Sequence, residues 1–282
     1  MLTTNKDRFQ NSTENNIKMI NIGCGKVRHD AWINLDLVGA PGVKSYNVKK
    51  DLPFPDNSID IIYHSHILEH LRKNEAERFI KECHRILKPG GLIRVVVPDL
   101  EKLCEEYLKN LRKGFENGDE SAILDYQWNK IEMFDQMIRE KQGGALSGII
   151  NNPPKNKDYI ISRVGKEIFP DAGLPDPRLD KKIIRAAKKL LLLLLAFRLT
   201  EAFSYIKREI LDNFFFDSAG EKHRWAYDRL DLKIILEKSG FKNFSLCSYD
   251  GSKIDNWTSY NLDNRPEGGP RRPDSIYAEA RK

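Results

Sequence analysis

Several features that would commit this chain to other classes are missing. No two of its four cysteines, Cys24, Cys83, Cys104 and Cys247, share C-x-x-C spacing. Neither a disulfide framework nor a cysteine zinc site is expected, and a reducing cytosol fits best. The first sixteen residues, MLTTNKDRFQNSTENN, hold no apolar stretch of the kind a secretory signal needs, and they read as a polar tail expected to be mobile. The apolar run Leu190 to Phe197 is far short of the roughly 20 residues that cross a bilayer. Acids are absent from 181 to 198, whose six cations are Lys181, Lys182, Arg185, Lys188, Lys189 and Arg198. Taking these six from 47 leaves 41 cations against 41 acids, so the net charge of +6 is local and a broad nucleic-acid footprint is not expected. A third glycine is missing as well. After Gly23-Cys24-Gly25 come Lys26, Val27 and Arg28, which breaks the dinucleotide fingerprint and disfavours a nicotinamide or flavin enzyme.

What is present is organised around Ile17 to Asp36, IKMINIGCGKVRHDAWINLD. Ile17, Met19, Ile20 and Ile22 form the apolar run of a strand covered on both faces. The two glycines that follow permit positive φ and the close approach of a ligand. A second strand, Trp32 to Leu37, carries Asp36 at its end, where doubly wound sheets place a carboxylate for a ribose diol.

Further strands are expected at Val43 to Val48, Ile59 to Tyr63 and Leu92 to Val97, with a proline-rich loop, Asp51 to Ser58, before the second of these. A helical stretch is expected from Ser65 or His66 through Leu71. Ala76, Phe79, Ile80, Cys83, Ile86 and Leu87 give Glu75 to Leu87 the three- and four-residue spacing of an amphipathic helix, and Pro89-Gly90-Gly91 stops it. Near the end, Asp228 to Ser239 reads as a helix, and Phe241 to Tyr249 and Ser275 to Arg281 as strands. Alternating strands and helices argue an α/β fold with a parallel sheet.

The segments INIGCG…INLD, DLPFPDNSIDIIYHSHILEHL and ECHRILKPGGLIRVVVPDL occur in this order over residues 17 to 100. In that order they resemble the class I, type 11 S-adenosylmethionine-dependent methyltransferases. The stretch HRWAYDRLDLKIILEKSGF is similar to the closing region of a subgroup found beside polysaccharide biosynthesis enzymes. The resemblance implies a Rossmann-like, doubly wound, mostly parallel sheet with an antiparallel C-terminal edge hairpin. It implies S-adenosyl-L-methionine as cofactor, no metal, and in-line methyl transfer without a covalent enzyme intermediate. Gly23, Cys24 and Gly25 would lie against the methionine and ribose portion, and Asp36 would hold the ribose hydroxyls. By the same analogy Asp51 would meet the adenine amino group and the Leu52 backbone the ring edge. Asn21 stands where the family usually has an acid, and it brings an amide without charge.

Candidate bases are His64 and His66, just past the fourth strand where ligands bind in open α/β sheets, and His223 before the last helix. His70 reads as structural or as flanking the cofactor. The Asn/Asp-Pro-Pro-aromatic motif of many amine methyltransferases is not at Tyr63-His64-Ser65-His66, so an oxygen acceptor is expected, on a saccharide or another small, in one reading lipid-linked, molecule. The domain plan is a tail at 1–16, core at 17–112, a helical insertion or lid at 113–215 with a helix from Ser121 to Lys141, and core again at 216–282. Within the insertion, 181–199 is either a buried helix or a basic amphipathic helix lying on a membrane surface. Competing readings are an RNA or protein methyltransferase, and a scaffold that binds a nucleoside without transferring anything.

Overall fold

The computed structural model describes residues 17–140, 143–169 and 222–282. The tail at 1–16, the loop from 170 to 178 and the 181–199 helix expected from the sequence lie outside the described residues. Short apolar runs give strands β1 (Met19–Ile22), β2 (Ile33–Asp36), β3 (Val43–Ser45) and β4 (Ile59–Ser65). After a single 3-10 turn at Leu68–His70 come helix α1 (Lys73–Ile86) and strand β5 (Leu87–Pro98). Helices α2 (Leu100–Asn117), α3 (Glu120–Ile138), α4 (Leu146–Asn151) and α5 (Lys157–Val164) follow. The chain closes with α6 (Arg229–Lys238), β6 (Lys242–Cys247) and β7 (Ser275–Arg281).

The strands form one sheet in the order β3-β2-β1-β4-β5-β7-β6. The pairs from β3 through β5 are parallel, and β7 is antiparallel to both β5 and β6. This is the α/β architecture and the closing antiparallel pair expected from the sequence. Strand alternation sends side chains to two cores. Ile20, Ile22, Ile62, Ile93, Val95 and Val97 pack with the apolar stripes of α1 and α6. On the opposite face Met19, Tyr63, Val96 and Tyr277 pack with Trp32, Ile254, Trp257 and Leu262. That face is roofed partly by the 248–274 connection, because residues 23–32 and 37–42 turn without forming helices.

The roof is tied down by Arg94, fully buried on β5. Its Nε donates to Asp263 Oδ2 at 2.8 Å, and its Nη1 donates to Glu279 Oε1 at 2.9 Å and the Gly251 carbonyl at 2.9 Å. Nη2 reaches the Ser248 carbonyl at 2.8 Å, and the guanidinium carbon lies 4.4 Å from the Trp257 ring centroid. Tyr63 donates its hydroxyl to the other Asp263 oxygen at 2.6 Å.

Two boundaries differ from the sequence expectation. The stretch after β4 makes one 3-10 turn and not a helix, since Leu71 returns to extended backbone. The expected core boundary at 112/113 falls inside α2, which continues until Gly118 takes the left-handed conformation, φ +63°, and ends it. Replacing only the cation of a buried ion cluster strands its carboxylates, so Arg94→Met is expected to cost roughly 3–5 kcal/mol of unfolding free energy. Tyr63→Phe is expected to cost about 1 kcal/mol. Urea unfolding followed by tryptophan fluorescence measures both, and an Arg94→Met protein as stable as its parent contradicts the account.

Candidate functional site

The turn after β1 is fixed by backbone bonds before any side chain acts. Gly23 and Cys24 both donate their N–H to the Leu35 carbonyl, at 2.7 and 3.1 Å. Gly23 and Gly25 have φ of +67° and +52°, a region L side chains avoid. A Cβ at Gly23 would run into the Ile67 side chain, whereas one at Gly25 would point into open space. The turn is therefore a backbone shelf with room above it. Asp36 closes the shelf: Oδ2 accepts from Gly25 N–H at 2.8 Å and Oδ1 from Val38 N–H at 3.1 Å. A carboxylate has about four acceptor positions, so two fixed bonds orient Asp36 and still leave acceptors for a diol. Cys24 is buried, and burial together with the charge of Asp36 pushes its thiol up to about 11, so it supplies no thiolate nucleophile at neutral pH.

Asn21 is buried beneath the shelf and uses its amide Nδ2 twice, to the Val27 carbonyl at 3.0 Å and Asn34 Oδ1 at 3.2 Å. What it can offer a ligand is its carbonyl oxygen. Two other residues expected at the cofactor lie on the proline loop. The Leu52 N–H, expected at an adenine edge, donates to Glu82 Oε2 at 2.9 Å, and the Leu52 side chain is buried in the α1-side core. The Asp51 carboxylate is largely exposed and pairs with Arg78 of α1 at 3.3 Å. The proline loop thus serves α1, to which Arg85 also fastens it through the Leu52 and Phe54 carbonyls, both at 3.0 Å. Residues the sequence reading passed over stand at the shelf's outer end. Leu37 and Val38 are 49% and 68% exposed, and the sequence signal for them is two apolar residues directly after Asp36.

The three proposed bases separate. His64 is fully buried, its ring edge-on to Phe79 at 5.2 Å, and neither nitrogen has a hydrogen-bond partner. Burial pushes it down to about 4, so it is a neutral core ring and not a base reaching an acceptor. His66 and His223 do come together, around Glu69. His66 adopts φ +54°, hydrogen-bonds Ser275 Oγ through Nε2 at 2.9 Å, and brings Nδ1 to 3.1 Å from Glu69 Oε1. His70 and His223 stack edge to face at 4.9 Å. Burial pushes His223 down to about 4, against the pull of Glu69 and with the push of His70. Burial alone would raise Glu69, yet His66, His70 and His223 hold its carboxyl down at about 2. Sequence reading treated Glu69 as part of a helical stretch and missed it. A separate depression of about 340 Å³, lined by Met19, Lys88, Gly90 and Lys253 among others, opens at the opposite, amino-terminal edge of the sheet and has no part in this site.

His64 makes a pH prediction with a definite sign. The unfolded chain protonates it near 6.5 and the fold only near 4, so the unfolded state binds more protons between these values. Stability should fall as pH drops through that window, by about 3 kcal/mol from this residue. His64→Leu should remove that part of the slope in urea titrations at stepped pH and leave ligand binding at the shelf unchanged. Parallel slopes for the two proteins contradict the assignment.

Comparison with known proteins agrees with this geometry. Residues 45–95 match the family model described as "Methyltransferase domain". A probable S-adenosylmethionine-dependent methyltransferase of Mycolicibacterium smegmatis is 39% identical over 49 residues, 17% of this chain and 18% of that protein. A malonyl-[acyl-carrier protein] O-methyltransferase of Coxiella burnetii is 38% identical over 89 residues, 30% of this chain and 28% of that protein. The chain thus spans under a third of the length of these two relatives. Among solved structures, an S-adenosylmethionine-dependent methyltransferase from Archaeoglobus fulgidus superposes over 94% of this chain and 86% of its own at 14% identity, with a TM-score of 0.38, too low to carry an argument. The match over residues 45–95 spans β3 to β5 of the parallel sheet, beside the strands that carry the glycine shelf and Asp36, and it makes this part of the chain similar to methyltransferase domains.

Proposed function

We propose that this protein transfers a methyl group from S-adenosyl-L-methionine to a hydroxyl oxygen of a small acceptor, a saccharide among the candidates. The observation that carries the reading is Asp36, held at the end of β2 by Gly25 N–H with acceptor capacity to spare. Gly23, Cys24 and Gly25 fit under the methionine and ribose portion, Asp36 fits the ribose diol, and Leu37 and Val38 offer an apolar surface to the purine. The carbonyl oxygen of Asn21 can take an ammonium proton. When bound, the cofactor supplies an electrophilic sulfonium methyl. The protein's part is to position the acceptor in line and to keep water out. The protonated Cys24 thiol agrees with direct transfer in one step. The helices from α2 onward leave the sheet after β5 and return before α6, which suits a lid over the acceptor. The membrane-surface reading of 181–199, and with it a lipid-linked acceptor, concerns residues outside those described. Among the described residues no helix is long and apolar enough to cross a membrane.

Calorimetry with S-adenosylhomocysteine tests the shelf. Asp36→Asn removes a charged acceptor worth about 1.5–3 kcal/mol, so binding should weaken by about 10- to 100-fold. No binding to the parent protein at high micromolar ligand defeats the proposal. Transfer of labelled methyl into cell-envelope extracts then tests the acceptor class. A second reading, a nucleoside-binding scaffold without activity, draws support from the uncharged Asn21, and it predicts tight S-adenosylhomocysteine binding with no transfer into any extract.

A further inference from the structure

At the carboxyl end of β4 four side chains meet that the shelf does not need for holding its ligand. Glu69 is fully buried, and neither carboxylate oxygen completes a hydrogen bond. Three imidazoles surround it, with His66 Nδ1 at 3.1 Å and His70 Nε2 at 3.9 Å from Oε1, and His223 edge-on to His70. One ligating atom from each of Glu69, His70 and His223 lies within 4.8 Å of the other two.

His70 decides which atom is offered. Its Nδ1 sits 3.1 Å from the Lys222 carbonyl. A carbonyl only accepts, so Nδ1 carries a proton there, and Nε2 is the ring atom turned toward Glu69. A cation placed between this nitrogen and the buried carboxylate would be held by both. One ring nitrogen on a backbone carbonyl and the other free is also how metal-binding histidines are habitually oriented.

We infer that Glu69, His70 and His223 form a binding site for a divalent first-row transition cation, with His66 as the residue that positions Glu69. Two imidazoles and one carboxylate suit manganese, iron, cobalt or zinc better than calcium, which prefers an all-oxygen shell. Ligand atoms about 2.1 Å from a four-coordinate ion stand about 3.4 Å apart, so the three donors need to close in by roughly 1 Å, a matter of side-chain rotation. Three protein ligands leave a coordination position open. Ile67, two residues before Glu69, packs on Gly23, which sets the cluster beside the shelf. The remaining step rests on the methyltransferase reading. An acceptor hydroxyl placed at the open position becomes more acidic. Its proton leaves to solvent, the oxygen lone pair forms the bond to the methyl carbon, and the carbon–sulfur electron pair stays on sulfur. Alcohol and sulfonium thus give ether, thioether and one proton.

The test is a titration of the whole, chelator-stripped chain with Co²⁺, followed by visible absorption and calorimetry. Saturation at a single ion per chain is expected. Glu69→Gln, His70→Ala and His223→Gln should each weaken binding at least about tenfold. His84→Ala, which removes an imidazole packed on Phe241 away from the cluster, should bind as the parent does. Circular dichroism checks folding, and His223→Gln, outside the sheet and its two cores, stays decisive should Glu69→Gln fail to fold. Absence of saturable binding up to millimolar Co²⁺, parent-like affinity in all three variants, or sulfur-to-cobalt charge-transfer absorption overturns the site. Methyl transfer abolished by EDTA and restored by Co²⁺ supports the acceptor role, and transfer insensitive to EDTA overturns that role alone. Co²⁺ binding without S-adenosylhomocysteine binding keeps the site and defeats only the methyltransferase reading.

Discussion

A guanidinium with no water around it has to be answered by the protein, and the answer given to Arg94 shapes one whole face of the sheet. Two carboxylates, three carbonyl contacts and an indole ring converge on it from β7 and the 248–274 connection. None of these segments is close to β5 in sequence. The connection has little regular structure of its own, and the ion cluster supplies a geometric reason for it to cover Trp32 and Tyr63 in one particular way. The desolvation cost of such a cluster offsets much of its Coulomb gain, so its contribution is better described as fixing an arrangement than as adding stability.

Glu69 is the instructive contrast. Both residues are charged and fully buried, yet Arg94 has its donors satisfied while Glu69 has neither oxygen hydrogen-bonded. Both belong to the same β4–β5 region, Arg94 midway along a strand and Glu69 past a strand's carboxyl end. A satisfied buried charge organises its surroundings. Glu69 is surrounded by imidazoles and not by fixed donors of its own strand or helix.

Much of this was legible in the sequence. The apolar runs gave β1, β4 and β5, the spacing of Ala76 to Ile86 gave α1, and Ser275 to Arg281 is β7 to the residue. The glycine turn and Asp36 stood out because their chemistry is local. What failed was anything decided by distant partners. His64 and His66 differ by two positions, yet one side chain is sealed against Phe79 and the other turns out through a left-handed backbone. Leu52 looked available until Glu82, 30 positions on, took its N–H. Nor can spacing show that His70 finds its carbonyl at Lys222, 152 positions away.

The place of β7 carries a consequence for how the sheet comes into being. Because β7 lies between β5 and β6, the latter has no edge to join until residues 275–281 have arrived. During synthesis β6 and its neighbour α6 emerge first and must wait, with an open strand edge, for a segment made later. The sheet is therefore completed from the middle, by a late insertion with a large loop to close, and this is the step at which the chain is most exposed to pairing with the wrong partner.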